Sequence, residues 1–310
     1  MEVALSAALA AAGIAMLCLG GNWLVSGGVS IARRYRVSSL VIGMTIVAYG
    51  TSTPELAASI AAAGEHGQVI LGNVLGSNIA NVGMVIGVSA LLVPLAARAP
   101  GTRRWLLLML AVSPLPLALS IDGEISSLDG LLLLAGLGAF AAYAMRSALR
   151  GRIPAEEAPP GGRGVAASAG LVALGAALLW AGALLAVENA VLLAAALGLT
   201  EKVIGLTVIA VGTSLPELVT SVISIRRGHA DIGIGNIIGS NIYNILMILG
   251  LGAALGGIGG AGADADHLVM IVFAAALLAF AWRGTVARAA GACLAAGYAA
   301  YMVLLLIWST

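Results

Sequence analysis

The sequence predicts an all-α polytopic membrane protein whose ten transmembrane helices form two inverted five-helix repeats. Three observations carry that prediction. Of the 310 residues, 61% are hydrophobic and only 9% charged, with a mean hydropathy of +1.07, whereas soluble domains run at about 45–50% apolar and about 25% charged. Two stretches, 43–87 and 205–250, are near copies of each other. Fourteen of the fifteen Lys and Arg residues fall in alternate connections between the apolar runs.

Apolar runs of about 17–25 residues are long enough to span a bilayer as helices. Ten are present, at 3–28, 40–63, 69–96, 105–121, 128–148, 165–188, 203–225, 231–256, 267–283 and 287–308. The first opens on Met-Glu-Val-Ala-Leu with no basic segment before it, so it reads as a retained helix and not a cleaved signal. The second and third carry the first copy of the repeat. The fourth is short and holds Pro114 and Pro116. After the fifth comes 150–164, rich in Pro, Gly and charge, which reads as a linker too short for a folded domain. It separates a first half, 1–149, from a second, 165–310. The seventh and eighth runs carry the second copy, and the ninth and tenth close the chain.

Basic residues orient these runs. Arg33, Arg34 and Arg36 follow the first; Arg98, Arg103 and Arg104 the third; Arg146, Arg150, Arg152 and Arg163 surround the exit of the fifth. Arg226 and Arg227 follow the seventh and Arg283 and Arg288 the ninth, leaving Lys202 as the exception. The positive-inside rule puts these odd-numbered connections in the cytoplasm and both termini outside. Five spans per half is an odd number, so the halves insert in opposite senses. The formal charge of +1 implies no nucleic-acid partner. Cys18 and Cys293 sit in apolar runs, which indicates neither a disulfide framework nor a zinc site.

Of the fourteen acidic residues, only Glu55 and Glu217 lie deep within a span; Glu188, near the end of the sixth, reads as interfacial. An intramembrane carboxylate is costly unless something binds it. The two glutamates are related by the repeat, in Gly50-Thr-Ser-Thr-Pro-Glu55 and Gly212-Thr-Ser-Leu-Pro-Glu217. Locally, Ser52 to Glu55 and Ser214 to Glu217 read as capping boxes with Pro in the first turn. A helix that restarts in mid-membrane leaves carbonyls such as those of Gly50 and Gly212 free, which is tolerated only beside a cavity or buried protein. Duplicated, interrupted, polar-centred helices are the mark of a transport site.

Downstream, Asn73, Ser77 and Asn81 recur every four residues, as do Asn236, Ser240 and Asn244, so each trio shares a helix face. For Asn73, Asn78, Asn236 and Asn241, interhelical packing and ion binding are both open readings. The centre thus offers two carboxylates, the hydroxyls of Thr51, Ser52, Ser77, Thr213, Ser214 and Ser240, the amides of Asn81 and Asn244, and free backbone carbonyls. Hard oxygen sets of this kind suit Ca²⁺, and equally Na⁺. Two fixed negative charges balance one Ca²⁺ or two Na⁺, and competition for one pocket is the basis of exchange.

The paired GTSxPEL and GNxxGSNIxN blocks resemble the alpha repeats of the calcium/cation antiporter superfamily, most closely a prokaryotic member of its sodium/calcium exchanger branch. The likeness extends over essentially the whole chain. It implies a Na⁺/Ca²⁺ antiporter of the plasma (inner) membrane, with Ca²⁺ and Na⁺ as transported substrates and no cofactor. It also implies ion ligands at Ala48, Thr51, Ser52, Glu55, Ser77 and Asn81, and at Ala210, Thr213, Ser214, Glu217, Ser240 and Asn244, the alanines through their carbonyl oxygens. Alternating access would come from the long first and sixth helices sliding as a pair. Asn at both 81 and 244 is similar to the potassium-independent exchangers, and Gly-Thr-Ser before each glutamate departs from the Gly-Asn of the proton-coupled branch. A proton/calcium antiporter and, less well supported, a cation channel are the competing readings. An enzyme fits worse, because His66, His229 and His267 all lie near helix ends.

Overall fold

A computed structural model describes residues 2–64, 66–150, 163–198, 210–262 and 264–308. Most of the 150–164 linker and the beginning of both the expected 203–225 span and the second repeat copy lie outside the described residues.

The chain is predominantly helical. In order come α1 (Glu2–Tyr35), α2 (Ser39–Thr51), α3 (Thr53–Ala62), α4 (Gly67–Leu92), α5 (Thr102–Leu119) and α6 (Ser127–Arg150). After them come α7 (Val165–Ala196), α8 (Ala210–Thr213), α9 (Leu215–Arg226), α10 (Ala230–Gly256), α11 (Ala265–Ala281) and α12 (Arg288–Trp308). Among the described residues, seven helices are long and apolar enough to cross a membrane, and α2 and α11 are shorter apolar helices. The shortness of α2 has a local cause, since Ser52 interrupts it before α3 continues. Pro114 and Pro116 break α5 into Thr102–Val112 and Leu115–Leu119, as their missing N–H groups require.

The long α1 and α7 share the most extensive helix contact in the molecule. They run antiparallel, with Gly13 against Ala186, Gly20 against Leu179 and Gly27 against Ser168. A Cβ on Gly13 would stand 2.6 Å from the Ala186 nitrogen, and one on Gly27 2.7 Å from the Ser168 carbonyl oxygen, so only a small residue permits this approach. The buried centre is formed by α4 and α10, while α1 and α7 face mostly outward. Their few buried residues, among them Leu17, Leu24, Leu179 and Ala183, form a small apolar cluster separate from the large one around α4, α10 and α11.

Contacts between connecting segments sort them into two ends. The two-residue strand β1 (Leu95–Ala96) pairs antiparallel with β4 (Thr285–Val286), joining the connection after α4 to the one before α12. Arg226 shares a small cavity with Leu92 and Val93, which brings the end of α9 to the same place. His229, partly buried and close to Arg33 and Arg227, has its imidazole held below the usual range, so the segment after α1 is there as well. Ser168 donates to Ser30 at 2.8 Å, which adds the start of α7. At the other end, β2 (Gly123–Ile125) pairs with β3 (Ile258–Ala261), and Gln68 at the start of α4 donates to the Gly259 carbonyl at 2.8 Å. The first turns of α1 lie there too by the logic of its antiparallel partner, with Val3 and Ser6 against Leu192 and Ala196.

Candidate functional site

Both repeat copies bend at their serine. Ser52 (φ −85°, ψ 9°) and Ser214 (φ −91°, ψ 6°) end one helix and begin the next with Pro at the second position. Pro54 and Pro216 have no N–H to offer the Gly50 and Gly212 carbonyls. Neither serine caps its helix with its side chain, so the capping boxes read from the sequence do not form. The reason is the near-zero ψ: an N-cap side chain reaches back to the third residue from an extended backbone, and here the backbone hydrogen bonds continue through the bend, from Ser52 N–H to Ala48 and from Leu56 N–H to Ser52. Ser52 Oγ is thereby free to leave its own helix, and it donates to Glu217 Oε1 at 3.3 Å. That bond joins the two repeats at their centre.

Around it the sequence-predicted residues gather. Thr51, Ser52, Ser214, Glu217 and Ser240 are fully buried, and Glu55, Ser77, Asn81 and Asn244 are at most 4% exposed. The two carboxylates are close enough to interact electrostatically. Thr51 Oγ1 lies 3.2 Å from the Ala48 carbonyl and 3.1 Å from Asn236 Oδ1. The Ala48 carbonyl therefore serves its own helix in this conformation. Ala210, in the position equivalent to Ala48, is the first described residue of α8. Thr213 is half-buried and lines an open cavity.

Four asparagines form a two-fold network between α4 and α10. The side-chain N–H of Asn81 donates to Asn241 Oδ1 at 3.0 Å, and that of Asn244 to Asn78 Oδ1, also at 3.0 Å. Asn78 and Asn241 in turn donate to each other's backbone carbonyls at 3.2 and 3.4 Å. With their N–H groups engaged, Asn81 and Asn244 keep their amide oxygens without a partner. Nine buried side-chain polar atoms among the described residues lack a partner; six of them are Glu55 Oε2, Asn81 Oδ1, Ser214 Oγ, Glu217 Oε2, Ser240 Oγ and Asn244 Oδ1. Unpaired buried oxygens are expensive and rare, and these six belong to residues of the repeated blocks, as a cation-binding centre between the two copies requires. No cluster of three or more His, Cys, Asp or Glu occurs among the described residues, so the donors are carboxylate, amide and hydroxyl oxygens.

Asn78 and Asn241 are thus positioning residues, a role that left packing and binding open in the sequence. The repeated Gly-Ser-Asn triplet was the available signal. Ser59 and Ser221 are new: they accept from Asn73 at 3.2 Å and from Asn236 at 3.4 Å, so the same clamp is built twice. New also are π-helical turns at Asn81–Ile86 and Asn244–Leu249, each starting on a candidate ligand. Such turns are frequent at functional sites, and residue spacing carries no mark of them.

Among the described residues, the two copies differ in exposure. Gly72 is exposed and Asn73 and Gly76 are half-buried, beside a cavity of about 470 Å³ that reaches Ser59, Ser77 and Thr213. Their counterparts Gly235, Asn236 and Gly239 are all buried under α2, where a Cβ on Gly239 would stand 2.7 Å from that of Ala48.

Comparison with known proteins agrees in sequence and fold. The family model described as sodium/calcium exchanger protein matches residues 5–146 and 167–307. The chain is 38% identical to the putative antiporter CaxA of Alkalimonas amylolytica over 284 residues, covering 87% of this chain and 88% of the relative. It is 33% identical to the inner membrane protein YrbG of Escherichia coli K12, with 97% of each covered. The structure of the sodium-calcium exchanger NCX_Mj soaked with 100 mM Na⁺ and 10 mM Sr²⁺ superposes with a TM-score of 0.85 at 31% identity, covering 97% of this chain and 98% of that one.

Proposed function

Since the chain belongs to the sodium/calcium exchanger protein family, we infer that it exchanges Na⁺ for Ca²⁺ by alternating access at one central site between Glu55 and Glu217. It is an integral membrane transporter, as its family and solved relatives are exchangers and its helices have the length and apolarity to cross a bilayer. The observation that carries the finer reading is the group of six unpartnered oxygens at the meeting of the two repeats. Two come from carboxylates, two from amides and two from hydroxyls, a hard set without thiolate or imidazole that suits Ca²⁺ or Na⁺.

The site's proposed ligands are Glu55, Ser77, Asn81, Thr51 and Ser52 from one copy and Glu217, Ser240, Asn244, Thr213 and Ser214 from the other, with the Ala48 and Ala210 carbonyls joining when the helices shift. The ten-span inverted arrangement is supported by the antiparallel α1 and α7, because first helices of two halves inserted in the same sense would run parallel. Segments that follow odd-numbered spans meet at one end and those that follow even-numbered spans at the other. The arginine-rich end is the cytoplasmic one in this reading. Alternating access is supported by the cavity on one side of the centre and the dry packing of the equivalent residues on the other.

The test is ⁴⁵Ca²⁺ uptake into Na⁺-loaded proteoliposomes diluted into Na⁺-free buffer. Saturable uptake that needs internal Na⁺, and that vanishes in E55Q and E217Q, is the expected result. Uptake that is linear in Ca²⁺ and indifferent to internal Na⁺ would mark a channel instead.

A further inference from the structure

The open cavity beside the centre is lined by Ser77 and Thr213 and also by Asp266, Tyr298 and Tyr301. Asp266 is the one acid among its described lining residues, and none of them is basic. We propose that Asp266, held by Tyr301, is an outer capture site that draws hard cations into this cavity on their way to Glu55 and Glu217, a proposal that rests on the exchanger reading above.

The start of α11 shows why this carboxylate is available. Asp264 already caps that helix, its Oδ1 accepting from the Asp266 and His267 N–H groups at 3.2 and 3.4 Å and lying 2.7 Å from His267 Nδ1. One cap suffices for the first turn, so the Asp266 side chain is not needed there. It crosses to α12 instead, where the Tyr301 hydroxyl donates to its Oδ1 at 3.0 Å. That bond fixes one oxygen without neutralising the charge. The cavity wall around it is otherwise neutral, including Tyr298, Met302 and Leu305. Asp264 lies close enough to act on Asp266 electrostatically and carries charge of the same sign, and negative charge in a cleft with low-dielectric walls focuses the field along the cleft and raises the local cation concentration.

The other half of the chain makes a useful contrast. Its equivalent helix, α5, begins Thr102-Arg103-Arg104, while α11 begins Ala265-Asp266-His267. Membrane orientation accounts for arginines at a cytoplasmic end but assigns no place to acids, so the position of Asp266 calls for a local reason. The cavity supplies one. A carboxylate and a phenol give few of the about six to eight oxygens that Ca²⁺ takes, the rest being water. The site is therefore a weak one that changes apparent affinity and not turnover.

Two measurements test this. In sided membrane vesicles at low ionic strength, D266N is expected to raise the KM for Ca²⁺ presented at the extracytoplasmic face about threefold to tenfold, with Vmax and the cytoplasmic-face KM unchanged. High salt should erase the difference. Y301F keeps the charge and should move that KM less than about twofold. An unchanged outer KM in D266N overturns the proposal, as does an equal change at both faces, which would mark a general structural effect. Separately, Tb³⁺ bound at Asp266 would take energy from Tyr301 and Tyr298. Tyrosine-sensitised Tb³⁺ luminescence should persist in the E55Q/E217Q double variant and disappear when D266N is added. Luminescence that survives D266N counts against the site. This second readout needs no transport, so a protein that binds Tb³⁺ at Asp266 yet exchanges no Na⁺ for Ca²⁺ refutes the exchanger reading and leaves the capture site standing.

Discussion

Glu55 and Glu217 each keep one carboxylate oxygen without a partner in the dry middle of the bundle, and the chemistry of the site turns on that. Replacing either by Gln keeps the shape and removes half the fixed charge. Losing one partner of a buried charge interaction costs about 3–5 kcal/mol, so each variant should lower Na⁺-dependent Ca²⁺ flux by about 100-fold or more. E188Q, on the exposed face of α7, should transport normally and insert to the same level. The asparagine network carries a subtler expectation. Removing the acceptor that holds Asn244 or Asn81, in N78A or N241A, forfeits a hydrogen bond worth about 1 kcal/mol. The freed amide can then turn its oxygen away, and the KM for Ca²⁺ should rise about fivefold to tenfold with protein yield preserved. A change in yield without a change in KM would make these residues packing elements only. The carboxylates, hydroxyls and amides proposed as ligands could be read from the repeated blocks, because a duplicated carboxylate in an apolar run has few other uses, whereas the Ala48 and Ala210 carbonyls came from the family resemblance alone. What was not legible is which atom of each residue is engaged. The failed capping boxes at Ser52 and Ser214 and the roles of Asn78 and Asn241 depend on a backbone angle and on contacts between residues some 163 apart, which no local spacing encodes.

At the scale of helices, α1 and α7 form a glycine-seamed pair whose buried apolar residues meet Ile42 and Val47 of α2 and Ile232 of α10 in one small cluster. Close small-residue packing binds them to each other more intimately than to the centre, as sliding in concert requires. Disulfide locks separate these two contacts once Cys18 and Cys293 are replaced. Ser30 and Ser168 touch through their hydroxyls at 2.8 Å, so S30C/S168C locks α1 to α7 and should leave exchange within about twofold of normal. A Cβ on Gly21 would lie 3.3 Å from Thr220 Oγ1, so G21C/T220C ties α1 to the central helix α9 and should stop exchange until the bond is reduced. Equal inhibition by both locks would contradict movement as a pair. The seven described helices long and apolar enough to cross a membrane were readable from hydropathy, including the short, proline-broken α5. The interruption at Gly-Thr-Ser was readable too, while the π-helical turns at Asn81 and Asn244 were not, since a one-residue widening of the helix leaves residue spacing unchanged.

For the whole molecule, the sorting of connections into two ends predicts sidedness. In a background without native cysteines, G164C should react with a membrane-impermeant thiol reagent only from the cytoplasm, and D122C only from outside; reaction of both from one side would contradict the ten-span inverted reading. The central claim is coupling of Ca²⁺ to Na⁺ alone. With Asn at both 81 and 244, the charge of the site comes from two glutamates, leaving none to balance a co-bound K⁺. Each net charge carried across per cycle is worth about 2.3 kcal/mol per 100 mV. The most direct test is therefore ⁴⁵Ca²⁺ flux in proteoliposomes with the voltage clamped by valinomycin and K⁺, compared with voltage-matched vesicles lacking K⁺, under imposed Na⁺ or H⁺ gradients. Ca²⁺ movement driven by the Na⁺ gradient, unaffected by K⁺ at constant voltage and absent with the H⁺ gradient alone, is the predicted result; Ca²⁺ movement driven by H⁺ without Na⁺, or a strict need for K⁺, would contradict it.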